Sequence, residues 1–352
     1  MNTLILEQPG QLTFGQTAEP NKPQPGEALV RIHRVGICGT DLHAYRGKQP
    51  YFTYPRIPGH ELGVEIVEIN HGGLLGLRQG DRCAVEPYMN CGECVACRRG
   101  KSNCCTRMKV LGVHIDGGMR DLITVPVHKL HRANRLSFEQ LALVETLGIG
   151  AHAVDRAQPQ AGEWALVIGA GPIGLTAMQF AKLAGANLIV MDVNADRLGF
   201  AQQHLGVTHA INIAGQSIEE NVKALQDRLN GDLPTLVFDA TGNAQSMMQA
   251  FQYVAHGGKL VYVGLVLDDI TFNDPFFHGR EITLFASRNA TAKEFKMIIG
   301  AMEDGRIDVR PWITHRAPAQ AVPETFPEWL KPENKVIKAM IEWNSEGMKD
   351  EV

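Results

Sequence analysis

The sequence predicts an α/β protein that combines a small β-barrel or sandwich with a doubly wound parallel sheet. Before about residue 137 the chain consists of short apolar runs that are separated by glycine and proline turns, with little helical periodicity. After about residue 150, apolar runs alternate with helical patterns, and the first such pair is joined by a glycine-rich turn. A chain of 352 residues is long enough for two such domains.

Composition excludes several classes of function. Lys and Arg number 34 and Asp and Glu number 38, so the net charge is 34 − 38 = −4, and no basic run is available to hold a nucleic-acid backbone. The N-terminus lacks the pattern of a signal peptide, and the most apolar window, Ala165–Met178, is interrupted by three glycines and a proline. We therefore expect a cytoplasmic protein that binds neither nucleic acid nor membrane.

The N-terminal strands follow from apolar periodicity. Thr3–Glu7 and Ala28–Val35 are predicted strands, and a loop rich in proline separates them. Leu62–Ile69 alternates apolar and acidic residues, which is typical of a half-buried strand, and Gly80–Glu86 leads into another.

The stretch between the second and third of these strands, residues 36–61, is the first candidate site. Thiolate, imidazole and carboxylate are ligands of Zn²⁺, and a catalytic zinc uses about three protein ligands and keeps one position open. The alternative is that these are unrelated core residues. The side chains concerned are a thiol, a hydroxyl, two carboxylates and two imidazoles: Cys38, Thr40, Asp41, His43, His60 and Glu61.

Five of the seven cysteines lie within 15 residues. Cys91, Cys94 and Cys97 are spaced by two residues, and Cys105 follows after seven. Four thiolates at this spacing can close a tetrahedral shell around a structural zinc, and a redox or coincidental cluster is the alternative. Cys104 competes with Cys105 for the fourth position, because spacing cannot separate adjacent thiols.

The first strong helical period begins at Ser137. It runs through Phe138, Leu141 and Leu147 and is apolar on nearly all sides, which predicts a buried helix. Glu145 lies within this apolar run. A buried carboxylate needs a partner, so Glu145 is expected to be ion-paired, protonated or bound to a metal.

A nucleotide site is predicted where the composition changes. Gly169, Gly171 and Gly174 form G-x-G-x-x-G between an apolar strand and a helix, and the next strand ends at Asp192. The glycines allow a pyrophosphate to approach the helix N-terminus, and Asp192 can accept hydrogen bonds from a ribose. Val193 follows Asp192 and the next arginine is Arg197, so NAD is favoured over NADP.

Strand–helix alternation continues far enough for a six-stranded sheet. The following strands are expected within residues 209–213, 235–242, 257–265 and 281–289, with a helix over Gln245–Val254. A helix over Ala292–Gly305 and a strand over Val336–Glu342 are too little for a separate domain and are expected to complete the first one.

Taken together, these residues resemble the zinc-dependent alcohol dehydrogenase family of the medium-chain dehydrogenase/reductase superfamily, particularly its polyol and sugar-acid branch. The resemblance extends over essentially the whole chain. It rests on G-I-C-G-T-D-L-H (36–43), P-G-H-E (58–61), the four-cysteine lobe, Glu145, G-A-G-P-I-G (169–174) with Asp192, D-A-T-G (239–242) and G-G-K-L-V-Y-V-G (257–264). Val64 and Thr146 stand where the family often has Gly and Pro.

The resemblance implies a GroES-like β-barrel catalytic domain (1–147 and 288–352, with a structural zinc lobe at about 88–108) interrupted by a Rossmann NAD-binding domain (148–287). It implies one catalytic and one structural Zn²⁺ per chain. Cys38 and His60 match catalytic ligands, while Glu61 and Glu145 match positions that bind the metal directly or indirectly. Thr40 and His43 match a proton relay, Asp41 matches the carboxylate that orients His60, and Cys105 matches the fourth structural ligand. The implied cofactor residues are Gly169, Gly171, Pro172, Ile173, Gly174, Asp192, Arg197, Thr241, Gly242, Val263 and Gly264.

The implied reaction is hydride transfer from a secondary hydroxyl of a sugar acid, a hexonate such as L-galactonate or L-gulonate, to NAD⁺. The alternatives are a neutral polyol or other secondary alcohol as substrate, a zinc-free reductase, and a non-enzymatic NAD-binding protein. A homo-oligomer, dimer or tetramer, is expected, with the strand near Leu260–Leu265 extending a sheet between subunits. Candidate cations for the substrate carboxylate, each of which is otherwise a surface ion pair, are Arg288, His114, Arg120 and Lys48.

Overall fold

The structure is a computed structural model that describes residues 1–70 and 76–343. The chain divides into two compact units. One comprises Met1–Thr146 together with the segment that begins at Ala290, and the other is Leu147–Asn289. None of the helices in the described ranges is both long and apolar enough to cross a bilayer.

The secondary structure follows the predicted change from strands to strand–helix alternation. The strands are β1 (Asn2–Gln8), β2 (Gln11–Gln16), β3 (Glu27–Gly36), β4 (Glu61–Asn70), β5 (Arg82–Val85), β6 (Tyr88–Met89), β7 (Lys109–Val110), β8 (Leu122–Pro126), β9 (Leu130–Arg132), β10 (Trp164–Ile168), β11 (Asn187–Asp192), β12 (His209–Asn212), β13 (Leu236–Asp239), β14 (Lys259–Tyr262), β15 (Thr283–Ala286), β16 (Ile313–Pro318) and β17 (Lys338–Glu342). The helices are α1 (Gly39–Tyr45), α2 (Val95–Arg98), α3 (Phe138–Ala157), α4 (Pro172–Leu183), α5 (Ala195–Leu205), α6 (Ile218–Arg228), α7 (Ala244–Gln249), α8 (Asp274–Gly279), α9 (Ala292–Glu303) and α10 (Val322–Trp329).

The first unit is organised around β3. One edge of this long strand pairs antiparallel with β4 along its length, while the other edge pairs with β8 at residues 27–31 and with β17 at residues 34–36. The resulting seven-stranded sheet has the order β16-β17-β3-β4-β5-β9, with β8 on β3. Its inner face carries buried aliphatic side chains such as Val30, Ile32 and Ile66, so this sheet encloses the apolar core of the unit.

The helix predicted from Ser137 is α3, and its start packs directly on the sheet. The Ser137 Oγ accepts a hydrogen bond from the Gln140 N–H at 3.2 Å, and Gln140 accepts one from the Ser137 N–H at 3.0 Å, which is a reciprocal N-cap. A Cβ on Gly63 of β4 would lie 2.0 Å from the Phe138 carbonyl oxygen. The glycine beside Val64 is therefore required where the strand touches the helix.

The second unit is the doubly wound sheet that the sequence predicts. Its six strands are all parallel and lie in the order β12-β11-β10-β13-β14-β15. The order reverses between β10 and β13, which are neighbours in the sheet although β11 and β12 separate them in the chain. Ligands bind beyond the carboxyl ends of parallel strands at such a point.

The expectation that the strand near Leu260–Leu265 extends a sheet between subunits is wrong. That strand is β14, and it is hydrogen-bonded to β13 on one side and to β15 on the other. Both of its edges are therefore occupied, and β15 is the strand at the end of the sheet. Sequence alone could not distinguish an interior strand from an edge strand here, because both consist of apolar runs.

Candidate functional site

Three strands converge on the first candidate site. Gly36, the last residue of β3, lies opposite Glu61, the first residue of β4, and opposite Met340 of β17. The antiparallel register therefore brings Cys38, two residues past β3, close to His60, which precedes β4. One ligand atom from each of Cys38, His60 and Glu61 lies within 4.8 Å of the others.

Glu61 occupies space that a glycine leaves open. A Cβ on Gly36 would lie 2.1 Å from Glu61 Oε2, so the carboxylate folds against a bare backbone. Both of its oxygens accept hydrogen bonds from Lys338 Nζ, at 2.6 and 2.7 Å, and Lys338 donates also to the Ile37 carbonyl oxygen at 3.0 Å. Glu61 is 0% and Lys338 3% exposed, so this is a fully buried ion pair.

Glu145 interacts electrostatically with this cluster but has a different hydrogen-bond partner. Its Oε1 accepts a hydrogen bond from the hydroxyl of Tyr88, and both side chains are buried. Burial raises the pKa of the Glu145 carboxyl, and the nearby charge of Glu61 adds to the rise, whereas His60 and Lys338 oppose it. The carboxylate therefore belongs electrostatically to the group around His60.

Asp41 lies on the other side of His60. Its Oδ2 accepts a hydrogen bond from the Cys38 N–H at 2.9 Å and so caps the start of α1. Its Oδ1 is 3.9 Å from His60 Nδ1, which exceeds hydrogen-bond distance, and neither atom has a hydrogen-bond partner within residues 1–70 and 76–343. At this separation the carboxylate acts on His60 through its charge. Burial lowers the pKa of His60, but Cys38 and Asp41 raise it well above its ordinary value.

The donor set fits a zinc ion. Asp41, Glu61 and Glu145 are buried carboxylates that surround a thiol and an imidazole, and in the described part of the chain Lys338 is the one buried ammonium among them. Burying several negative charges against a single positive charge costs several kcal/mol per uncompensated ion. A divalent cation held by Cys38 and His60 would offset that excess, and sulfur, nitrogen and carboxylate oxygen are donors that zinc takes.

The predicted relay residues share one helix. Thr40 and His43 are three residues apart in α1, so they lie on the same face. Thr40 is half-buried and His43 is exposed. Burial and the positive charges of Arg46 and Lys48 lower the pKa of His43, so its imidazole is neutral at pH 7 and able to accept a proton.

The four-cysteine lobe has the dimensions of a closed metal site. The Sγ–Sγ distances are 3.5 Å for Cys94–Cys97, 3.5 Å for Cys91–Cys105 and 4.0 Å for Cys91–Cys97. Tetrahedral zinc with Zn–S bonds of about 2.3 Å requires about 3.8 Å between sulfurs. The fourth member is Cys105, which is buried, whereas Cys104 is exposed.

Backbone amides around this lobe favour thiolates. The Cys91 N–H donates to Cys105 Sγ at 3.3 Å, and the Cys94 N–H donates to Cys91 Sγ at 3.4 Å. Hydrogen bonds from the backbone of Cys97 and Thr106 lower the pKa of Cys94 to about 5. The thiolate is the form that binds metal, so these four residues could hold a structural zinc.

The nucleotide residues gather at the carboxyl ends of the parallel strands in the second unit. Gly169 follows β10 with a φ of +94°, and a Cβ on Gly174 would lie 1.7 Å from the Gly169 carbonyl oxygen. The turn therefore closes only with glycine at both positions, which leaves the N-terminus of α4 open to a pyrophosphate. A Cβ on Gly264 would lie 2.5 Å from the Gly242 nitrogen, so the turns after β13 and β14, with Thr241 and Val263, are also in contact.

Asp192 is held in place by the same turn. Its Oδ2 accepts a hydrogen bond from the Ala170 N–H at 2.6 Å, and its Oδ1 accepts one from the Asn194 N–H at 2.7 Å. Arg197, on the first turn of α5, reaches back so that its Nη1 would be 3.6 Å from a Cβ on Gly171. These residues, with Pro172 and Ile173 at the start of α4, fit a dinucleotide.

The four candidate cations for a substrate carboxylate are dispersed. Arg120 donates to the Gly117 carbonyl oxygen at 3.0 Å and lines a surface pocket with Glu27. His114 accepts a hydrogen bond from the Val110 N–H at 3.2 Å and stacks on Tyr51. Lys48 lies three residues past the end of α1, and its N–H donates to the His43 carbonyl oxygen at 2.8 Å. Arg288 follows β15 in the second unit.

Two residues of the cluster were not identified from the sequence. Lys338 stands in the apolar run V-I-K-A-M-I, and a lysine in a buried strand is a signal that a partner exists, although not which one. Tyr88 carries no such signal, because it lies three residues before Cys91 in a stretch with the pattern of a strand. Both were missed because their partners lie 277 and 57 residues away in the chain.

Comparison with known proteins agrees with this geometry. Residues 24–135 match the alcohol dehydrogenase GroES-like domain, and residues 172–304 match the zinc-binding dehydrogenase domain. The chain is 40% identical to L-galactonate-5-dehydrogenase of Escherichia coli (strain K12) over 341 residues, 97% of this chain and 98% of that protein. It is 32% identical to sorbitol dehydrogenase of Bacillus subtilis (strain 168) over 322 residues, 90% of each.

A solved structure is similar throughout. The protein from E. coli CFT073 described as short chain alcohol dehydrogenase (rspB), complexed with NADH, superposes with a TM-score of 0.89 at 31% identity and covers 97% of this chain and 99% of its own. The expected combination of a GroES-like domain and a parallel nucleotide-binding sheet is thus confirmed. The chain belongs to the zinc-dependent alcohol dehydrogenase family of the medium-chain dehydrogenase/reductase superfamily, and it is an oxidoreductase that acts on CH–OH groups.

Proposed function

We propose that this chain transfers a hydride from a secondary hydroxyl of a sugar acid, a hexonate such as L-galactonate or L-gulonate, to NAD⁺. The observation that supports this most is the buried cluster of Cys38, His60 and carboxylates, in a chain that is 40% identical to L-galactonate-5-dehydrogenase. Membership of the family supports the reaction class, and similarity to L-galactonate-5-dehydrogenase supports the substrate class.

Cys38 and His60 are the proposed ligands of the catalytic zinc, with Glu61 and Glu145 as the carboxylates available to complete the site. A zinc ion bound there supplies a Lewis acid that lowers the pKa of a substrate hydroxyl. Asp41 keeps negative charge beside His60 and so strengthens the imidazole as a ligand.

The α1 residues provide the proposed route for the proton. The Thr40 hydroxyl is half-buried beside Cys38 in the chain, and it can accept a proton while donating its own. His43 is exposed at the far end of the same helix and is neutral at pH 7, so it can pass the proton to water. The two residues therefore move a proton from a buried position to the surface.

The second unit provides the proposed NAD site. The Gly169–Gly174 turn and the start of α4 bind the pyrophosphate, and Asp192 accepts hydrogen bonds from the adenosine ribose. The nicotinamide is the hydride acceptor. Val193 beside Asp192 is 64% exposed and uncharged, so the position next to the ribose offers no cation for a 2′-phosphate, which favours NAD.

Lys48 is the best-supported cation for a substrate carboxylate. Its backbone hydrogen bond to His43 fixes it beside the proposed proton exit, and its charge acts on that imidazole. A Lys48→Met variant should raise KM for a hexonate by about tenfold, the value of one charge-assisted hydrogen bond, and leave KM for sorbitol unchanged.

The test of the substrate class is NAD⁺ reduction, followed at 340 nm, against a panel of hexonates and neutral polyols with zinc-replete protein. We expect rapid turnover of at least one hexonate and slower turnover of every polyol. A neutral polyol is the second candidate, because the chain is 32% identical to sorbitol dehydrogenase. If only polyols were turned over, the proposed hydride transfer to NAD⁺ would stand, but a sugar acid would be excluded as the substrate.

A further inference from the structure

The two carboxylates of the cluster are held by different donors. Glu61 accepts hydrogen bonds on both oxygens from the ammonium of Lys338. Glu145 accepts one from the neutral hydroxyl of Tyr88, and that hydrogen bond engages only Oε1. Glu61 is therefore bound to a positive charge at both oxygens, while Glu145 has one oxygen that the phenol does not occupy.

Tyr88 is rigidly placed. It is 2% exposed, pairs with Val110 as part of the short β6–β7 ladder, and meets the ring of Phe295 edge-on at 6.5 Å between centroids. Phe295 is itself fully buried. A hydroxyl on a side chain that is held in this way can orient the group that it contacts, which a mobile surface donor cannot do.

The backbone continues from Tyr88 to the four cysteines, and a partly buried network of polar side chains lies beside it. Asn90 donates to Cys97 Sγ at 3.7 Å and accepts from Lys129 Nζ at 2.9 Å. Lys129 pairs in turn with Glu86, two residues before Tyr88. The segment that carries the phenol is therefore anchored at both ends, by Glu86 and by the lobe.

We propose that Tyr88 is a positioning residue for the metal site. Its hydroxyl fixes the Glu145 carboxylate through Oε1, so that the other oxygen is the one available to the metal, while Lys338 retains Glu61 in an ion pair. The proposal rests on the zinc-dependent function above, and it adds Glu145 to Cys38 and His60 as a residue that holds the metal. It assigns Tyr88 a role through Glu145 and no contact with substrate.

The test removes only the hydroxyl. Tyr88→Phe keeps the ring against Phe295, and the readout is the affinity for zinc, measured by competition with a chromophoric chelator. Cys38→Ser identifies which of the two released zinc ions belongs to this site. We expect Tyr88→Phe to weaken that zinc by about tenfold or more, as loss of a residue that orients a ligand does, and to leave the lobe zinc unchanged.

Tyr253→Phe is the matched control. Tyr253 is also a 2% exposed tyrosine, and its hydroxyl accepts from Asn221 at 3.3 Å in the second unit. A general effect of removing a buried phenol oxygen would appear there as well. We expect the zinc affinity of Tyr253→Phe to equal that of the unmodified chain.

A second variant tests whether Tyr88 acts through Glu145. Glu145→Gln should weaken the same zinc at least as much as Tyr88→Phe, and adding Tyr88→Phe to Glu145→Gln should change little further. An unchanged zinc affinity in Glu145→Gln or in Tyr88→Phe would overturn the proposal, and so would equal effects of Tyr88→Phe in both backgrounds. Should Cys38→Ser lose no zinc at all, the failure is that of the proposed function instead.

Discussion

Lys338 donates to both carboxylate oxygens of Glu61, at 2.6 and 2.7 Å, with both side chains buried. The two residues are 277 positions apart in the chain, and the contact joins the start of β17 to the start of β4. Although burial disfavours the ammonium, the charges of Glu61, Cys38 and Glu145 outweigh it and raise the pKa of Lys338. The lysine therefore remains charged and neutralises one acid of a cluster that contains three.

This ion pair should matter strongly for stability. Lys338→Met leaves the Glu61 carboxylate buried without its counter-ion, and breaking a buried pair in this way costs about 3–5 kcal/mol. Urea unfolding of zinc-replete protein measures the loss. Lys338→Met combined with Glu61→Gln removes both charges and should recover most of it. A single variant as stable as the unmodified chain would contradict this account of the pair.

The choice between adjacent cysteines can be tested by counting zinc. Cys105 contributes its sulfur to the lobe, and Cys104 is exposed beside it. We expect Cys105→Ser to bind about one zinc per chain fewer and to unfold at lower temperature, because a structural zinc contributes directly to folding. Cys104→Ser is the matched control and should retain the full zinc content. Equal losses in both variants would mean that the lobe uses either thiol.

The Gly169–Gly174 turn should not tolerate an added methyl group at Gly174. A Cβ on Gly174 would lie 1.7 Å from the Gly169 carbonyl oxygen, so Gly174→Ala has to displace the turn that contacts the pyrophosphate. Such overpacking costs about 1–3 kcal/mol, so the Kd for NADH should rise by about tenfold or more. Gly199 of α5 has open space around it, and Gly199→Ala should bind NADH normally. Fluorescence titration distinguishes the two, and unchanged binding in Gly174→Ala would exclude this turn as the site.

A buried histidine outside the site predicts a specific acid sensitivity. Burial, followed by the positive charges of Arg34, Arg31 and Arg82, lowers the pKa of His33 from 6.5 to about 4. Between these values the unfolded chain binds a proton that the folded chain does not, so the free energy of unfolding falls as the pH falls through this window. The loss approaches about 3 kcal/mol at the lower end. Glu65 lies 3.4 Å from the ring but is 39% exposed, so its screened charge does not reverse the effect.

The variant His33→Phe isolates this contribution. The imidazole stacks on Phe138 with 3.9 Å between ring centroids, and a phenyl ring preserves that stacking without the proton. Urea unfolding at pH 7 and at pH 4.5 should show a smaller loss of stability in His33→Phe than in the unmodified chain. If both proteins lose the same stability, His33 does not carry the acid sensitivity.

Local patterns predicted those parts of the fold that depend on neighbours in sequence. The Gly169–Gly174 turn with Asp192 indicated a strand–turn–helix unit, because the residues that form such a turn are close together in the sequence. The strand order of the sheet agrees with this prediction. The spacing of the first three lobe cysteines likewise predicted their clustering. What could not be predicted was which distant residue completes a buried group: Lys338 for Glu61, Tyr88 for Glu145, and β15 beside β14. These contacts depend on tertiary packing between distant parts of the chain, and local sequence patterns do not reveal them.

We propose that the cluster at Cys38 and His60 holds the zinc that serves the oxidation. The most direct test compares zinc content and NAD⁺ reduction by a secondary alcohol in the unmodified chain and in Cys38→Ser. We expect about two zinc ions per chain and turnover in the unmodified chain, and about one zinc ion, that of the lobe, and no measurable turnover in Cys38→Ser. A Cys38→Ser protein that keeps both zinc ions and its activity would contradict it.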